Sequence, residues 1–503
     1  MLRKLLALLV LFLVVVAVGV VLFARGRIGG DAVRRTLEAQ LSARVREPVA
    51  IASLTASFFP RVMLDLHGVA IGQPVRATIS EISIATGLRG LLSKRVEGAE
   101  VVLSNSRLPV GTVLGIASAA ASSEAPETPG TGLTIVSIRT LAFRHVELVA
   151  GPRSLVVDLE SSLDGDRLEV GRLAAQSEGT RLEARGALTS IARHEGRFTA
   201  TAGRLNLDEL LALGAELSSA APTQASAGDK SSAFPINLQL DLTAPGGQLG
   251  GYNFETLTSS LRVTSRQLLL QPLRFGVFGG QFDGQLRVLS SANPPDISLN
   301  GHVDRIDVAR LLREARGSSP MSGTMSGNVG LASRGTSSAD ILRTSHGSGR
   351  VTIADGAIPG LEMVRAVVLA FGKPSGAPAS GSGSRFTKLE GNFALADQTL
   401  RVPDISFASR DFDMAGNAVV RLSAGGLDVH ANVMLSPELT AQAGTDLRRY
   451  AQEDGRVIVP ATITGTLAEP GVSIDVAAAI NRALQNEMKR RVKGFLDRII
   501  KQE

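Results

Sequence analysis

The chain has no cysteine, no tryptophan and only two tyrosines, and aromatic residues make up 4% of its 503 positions. Without cysteine there can be no disulfide framework, no thiol nucleophile and no thiolate metal ligand, although either redox compartment stays open. With so few aromatics, the stacking platforms that bind single-stranded nucleic acid are missing. The formal charge of +6 is spread along the chain and forms no basic stripe, so nucleic acid is not read as a partner. Attraction to anionic lipid headgroups explains the same sign. Catalytic signatures are lacking too. The six histidines (His67, His145, His194, His302, His346 and His430) lie far apart, and none sits in a metal-binding spacing. There is no G-x-S-x-G elbow, no S-x-x-K and no phosphate-binding P-loop. Asp404, Asp411 and Asp413 are the closest carboxylate grouping, at an expected hairpin turn where Asp suits the backbone. The chain is read as a protein without enzyme activity, cofactor or metal.

What is present is aliphatic and repetitive. Hydrophobic residues reach 44%, and 53 scattered glycines suit many short strands that each need a turn. Leu5 to Ala24 carries no charge and follows Arg3 and Lys4. Twenty helical residues span about 30 Å, the thickness of a bilayer's hydrocarbon core. The segment is read as a retained transmembrane anchor, with residues 1–30 forming the anchor and its flanks. The rival reading is a cleaved signal peptide, for which Ala17-Val18-Gly19 is the tolerable site. Arg25, Arg27, Arg34 and Arg35 follow the span, so charge bias alone does not orient it. Long domains cross regardless of charge, and the bulk is expected outside the cytoplasm.

Beyond the anchor the sequence repeats. Leu268-x-Leu270-x-x-Leu273-x-Phe275 recurs as Leu400-x-Val402-x-x-Ile405-x-Phe407, at an offset of 400 − 268 = 132. The offset holds through Phe282/Met414, Gly284/Gly416, Val288/Val420, Ile297/Val429 and Val303/Leu435. The opening pattern occurs a third time at Leu168-x-Val170-x-x-Leu173-x-Ala175. Apolar residues two apart mark a strand with one buried face. A repeated strand unit cannot bury that face alone and must stack on its neighbours. The expected fold is mainly β: a transmembrane helix, then an elongated, repeated antiparallel β-sheet groove with short interspersed helices and a C-terminal amphipathic helix.

Val33, Leu37, Leu41 and Val45 predict a short helix ended by Pro48, and strands follow at Val49–Leu54, Val62–Leu66, Ala77–Ile84 and Val96–Leu103, with a helical piece at Leu88–Ser93. These form a first region, 31–117. A linker rich in Ala, Ser, Pro and Thr covers 118–131, and similar loops occupy 218–232 and 372–384. The repeats fill 132–474. Each closes with a strand entering a short helix, as in Leu205-Asn-Leu207-Asp-Glu-Leu210-Leu211 and Ile306-Asp-Val308-Ala-Arg-Leu311-Leu312. Residues 475–503 read as a basic amphipathic helix, with Lys489, Arg490, Lys493 and Arg498 as candidates for contact with an acidic membrane surface. The alternative for this helix is a cover over the end of the β-array, its charges solvated.

Three segments resemble the AsmA family of bacterial envelope proteins. The first is the opening, Leu54-Thr-Ala-Ser-Phe58-Phe59-Pro60 through Gly68-Val-Ala-Ile71-Gly72, placed after an anchor and a helix. The second is Gly323-Thr-Met-Ser-Gly327 with Gly347-Ser-Gly349-Arg-Val-Thr-Ile-Ala-Asp355-Gly356-Ala-Ile358. The third runs from Val459-Pro460 to Ile474-Asp475. The resemblance implies a fold related to chorein-type, repeating β-groove lipid-transfer proteins. It also implies an inner-membrane anchor, a periplasmic bulk and a part in phospholipid traffic toward the outer membrane. Phospholipids and the inner membrane are then the expected partners, with a periplasmic or outer-membrane protein as a further one. On this reading the lipid-facing candidates are Leu64, Leu66, Ile82, Ile84, Val101, Leu103, Leu155, Val157, Leu268, Leu270, Val402, Phe407, Val429 and Val433. A non-transporting scaffold, a closed β-sandwich array, predicts the same alternation. The two differ only in whether the apolar face is open.

Overall fold

A computed structural model describes residues 30–45, 47–57, 61–87, 95–109, 134–210, 212–213, 236–289, 294–335, 337–370, 372, 378–423, 425–442, 452–453, 455–478 and 481. The segment Leu5–Ala24, the piece Leu88–Ser93, the linker 118–131, the loop 218–232 and the four basic candidates Lys489, Arg490, Lys493 and Arg498 lie outside the described residues. Among the described residues no helix is long and apolar enough to cross a membrane. The chain forms two compact units, Met1–Leu268 and Leu269–Glu503.

The first unit begins with helix α1 (Gly30–Val45). Its strands are β1 (Val49–Ser57), β2 (Val62–Ile71), β3 (Ala77–Thr86), β4 (Arg95–Val96), β5 (Ala99–Ser104) and β6 (Arg107–Pro109), then β7 (Thr134–Ile135), β8 (Ser137–Ala150), β9 (Arg153–Asp164), β10 (Arg167–Ser177), β11 (Thr180–Ser190), β12 (Glu195–Asn206), β13 (Asn237–Leu249) and β14 (Tyr252–Thr264). Pairing is mainly antiparallel. The antiparallel sheet expected from the sequence is present, with departures where β5 and β6 pair parallel with β8 and β12 pairs parallel with β13. A parallel neighbour needs a crossover of a dozen or more residues. The low-complexity stretches 118–131 and 218–232 fall inside these two connections.

Helix α1 does two jobs at the start of this sheet. Leu37 and Leu41 enter the core beside Ile51, Leu66 and Ile82. One polar stripe, four residues apart, satisfies unpaired backbone groups at the start of β1: Arg34 Nη1 donates to the Ile51 carbonyl (3.1 Å), Glu38 Oε1 accepts from the Ile51 N–H (2.8 Å) and Ser42 Oγ accepts from the Val49 N–H (2.8 Å).

A carboxylate stitches two turns of the same unit. Asp166, between β9 and β10, accepts from Ser190 Oγ (2.5 Å) and from the Ala192 N–H (2.9 Å). The Ser190 hydroxyl, then the Ala192 N–H, hold its pKa below the ordinary 3.8. A depressed carboxylate stabilises the fold above its unfolded pKa, and that contribution is lost as pH falls through the folded value. Urea denaturation should therefore show wild type more stable than Asp166→Ala at neutral pH, with the gap shrinking below pH 3.8. A gap that stays constant into acid would refute the stitch.

The second unit contains β15 (Gln267–Val277, its first two residues preceding the division), β16 (Gly280–Leu289), β17 (Asp296–Asp307), α2 (Val308–Arg316), β18 (Ser322–Arg334), α3 (Ser338–Thr344), β19 (His346–Ile358), α4 (Met363–Ala370), β20 (Ser384–Ala396), β21 (Thr399–Ala408), β22 (Phe412–Arg421), β23 (Gly426–Leu435), α5 (Pro437–Gln442), β24 (Gln452–Glu453), β25 (Arg456–Thr466) and β26 (Pro470–Ile474). From β16 onward the described pairings are antiparallel. The sheet therefore has two rims. The first rim carries the ends at Asp307, Ile358, Ala408 and Leu435, with α2, α4 and α5 attached. The second carries Leu289, Arg334, Ala396 and Arg421.

The repeat is visible in this unit as two meanders, β15–β17 and β21–β23. Its two-residue spacer has a structural cause. Register shifts fall between Val170 and Leu173 in β10 and between Val402 and Ile405 in β21, so the spacer is a β-bulge. Gly284 and Gly416 occupy equivalent places. A side chain at either would overlap a carbonyl of the next strand, that of Asn300 or His430. The match is not complete. Gly284 faces Gly301, whereas Gly416 faces Ala431, and 431 − 301 = 130 rather than 132. A slip of two leaves every side chain on its original face.

Candidate functional site

Both units present one apolar face, and on each it is covered in one part and open in another. In the first unit, Phe143, Leu159, Leu173, Ala184, Ala200 and Leu242 are successive register partners from β8 to β13. A parallel row ends at Phe198, Leu240 and Leu261. Phe143, Leu159, Leu173 and Phe198 are half-buried where they pack against the core under α1, while Leu240, Leu242 and Leu261 are half-buried and stand outside that cluster. A sealed aliphatic core leaves such side chains almost no exposure, as it does for Leu66 (0%) and Ile82 (2%) under α1.

The second unit repeats the contrast within one face. Near the second rim, Leu286, Leu299, Leu331, Gly347, Leu395, Leu400, Val420 and Leu427 form one unbroken row across eight strands. Every member is half-buried. Near the first rim, Ile353, Phe407, Met414, Val433 and Val459 share one row and are buried, with Leu389 half-buried between the first two. There Leu361, Met363 and Val367, from α4 and the turn before it, join the core, and Phe407 stacks on Phe412 with ring centroids 5.1 Å apart. Where no helix is inserted, the row stays accessible.

The opposite faces are polar and carry hydrogen-bonded and ionic pairs. Arg197 donates to Gln239 (2.7 Å), and Ser260 donates to Asp241 (2.7 Å). In the second unit Arg274 pairs with Asp283 (2.8 Å) and Lys388 with Glu390 (2.8 Å). The Lys388 ammonium is the main cause of a lowered Glu390 pKa. The three aspartates at the β21–β22 hairpin are scaffolding as well. Asp404 accepts from the Asn392 N–H (2.8 Å) and from its side-chain amide, which lower its pKa, and Asp413 pairs with Arg456 (2.9 Å). The carbonyl of Asp411 accepts from the Ser436 N–H (2.9 Å). Among the described residues no group of His, Asp and Glu could hold a metal ion.

The fourteen lipid-facing candidates divide along this line. Leu64, Leu66, Ile82, Ile84 and Val101 lie in the core closed by α1, and Phe407, Val429 and Val433 lie in the closed part of the second unit. Val157 is buried on β9. Leu103, Leu155, Leu268, Leu270 and Val402 are half-buried. The open rows are carried mostly by residues outside that set: Leu240, Leu242, Leu286, Leu299, Leu331 and Leu395. Their signal was the same two-residue alternation, which marks a face without saying what covers it.

No curated protein and no solved structure matches the chain. Residues 225–405, which take in β13 to β20 and most of β21, match the model of the AsmA family.

Proposed function

We propose that the chain is a non-catalytic, inner-membrane-anchored protein of the bacterial envelope, with its bulk in the periplasm. Its open apolar rows hold phospholipid acyl chains and let them move from strand to strand, supporting the lipid supply of the outer membrane. The observation that carries this reading is the half-buried row from Leu286 to Leu427, which crosses eight strands with an aliphatic side chain on all but β19, where it meets Gly347, and is backed by a polar face. Each methylene that exchanges water for such a row gains about 0.8 kcal/mol. A hydrocarbon chain leaving a bilayer therefore loses little. The row offers no built pocket for a headgroup, so discrimination among lipids is low.

The test uses neighbours on opposite faces. A photoreactive residue replacing Leu242 or Leu299 should recover lipid adducts from cells, while one replacing Asp241 or Asn300 should not. Equal labelling on both faces, or none at Leu242 and Leu299, would favour the closed scaffold instead.

A further inference from the structure

Helix α2 starts at one rim of the second unit, and its last arginine reaches the other. Its beginning is firmly held. Asp307 donates its N–H to the Phe278 carbonyl (2.9 Å), Asp307 Oδ1 accepts from the Arg310 N–H (3.1 Å), and Val308 is 3% exposed in the core that contains Met363. All of this lies at the first rim. The last turn, Arg313 to Arg316, is exposed, and Gly317 closes the helix in a left-handed conformation (φ 76°). Arg316 then reaches the turn between β22 and β23, on the second rim. Its Nη2 donates to the Leu422 carbonyl (3.2 Å), and its Nη1 lies 3.6 Å from where a Cβ on Gly425 would stand. A nine-residue helix is about 13.5 Å long. Within this unit the sheet thus curls until its rims are about one short helix and one arginine apart, and α2 crosses the mouth between them.

We propose that α2 is a strap over the apolar face, hinged at Asp307–Val308 and pinned at its far end by Arg316, and that acyl chains enter this unit sideways when the pin lifts. The proposal rests on the lipid-binding reading above. The asymmetry of the helix supports it: the hinge is capped and buried and Leu312 packs half-buried on the same core, while the pin is an exposed guanidinium on a neutral backbone carbonyl. A net hydrogen bond of this kind shifts an equilibrium by about three- to ten-fold, which is enough to bias a gate without locking it.

The natural chain has no cysteine, so two introduced thiols are the only ones present. The full chain carrying Arg316→Cys and Leu422→Cys is bridged with a short bismaleimide, which stands in for the arginine. Loading is followed as the rate at which pyrene-labelled phosphatidylethanolamine, supplied in phosphatidylethanolamine–phosphatidylglycerol vesicles, is captured by a photoreactive residue at position 299. Arg316→Ala should load about three- to ten-fold faster than the parent, and the bridged protein should be slower by at least that factor. A bridged protein that loads at the parent rate overturns the strap and leaves lipid binding intact. Thiols that fail to bridge also overturn it, because the rims are then not adjacent. No capture at position 299 even without the bridge overturns both readings.

Discussion

Leu240→Asp is expected to leave the protein folded, within about 1 kcal/mol of wild type, while abolishing lipid capture at the neighbouring Leu242. Leu240 is half-buried on the open row of β13, so an aspartate there keeps access to water. The penalty falls on hydrocarbon that must pass an unpaired carboxylate. Val429→Asp should do the opposite. Val429 is 4% exposed in the closed core, opposite Ala418 on one side and Ile463 on the other. A carboxylate there has no partner, and the fold should lose about 3–5 kcal/mol. Urea melts with lipid capture, measured on both variants, separate the cases. If Leu240→Asp unfolds the chain like Val429→Asp, that part of the face is not open. If Leu240→Asp folds normally and captures lipid as before, the lipid path lies elsewhere.

Phe407→Ala should be the most damaging truncation in the second unit. The side chain is 1% exposed, stacks on Phe412 and packs tilted against Phe386 at 5.3 Å. Removing a ring from such a site leaves a cavity and costs about 3–5 kcal/mol. Leu286→Ala, on the same face at the other rim, should cost about 1 kcal/mol, because the leucine is only half-buried and leaves little void. Equal losses for both would mean that the face is sealed throughout.

The contrast also explains what could be read from the sequence. Alternation at Leu64/Leu66, Ile82/Ile84 and Val429/Val433 located strands and their apolar sides, since the period of two is a property of the backbone. The spacer in Leu400-x-Val402-x-x-Ile405 even carried the bulge, because a break in period is how one extra residue must be written. Covering is a different matter. Whether Val433 is sealed and Leu395 open depends on where α4, connected between β19 and β20, comes to rest. Nothing in the alternation of a strand records which helix lies over it. The parallel joins were hidden for a similar reason: 118–131 and 218–232 announced long connections but not their direction.

The stripe of Arg34, Glu38 and Ser42 sets how such a sheet can be lengthened. A strand arriving ahead of β1, from another chain or from this one, would have to displace three hydrogen bonds at Val49 and Ile51 before making its own. Each is worth about 1 kcal/mol net, so the edge resists pairing instead of templating it. Extra strands are then more easily accommodated in the interior, at connections already long enough to turn the chain around, than in front of the first strand. A longer relative built on this plan would differ in its middle and keep its beginning.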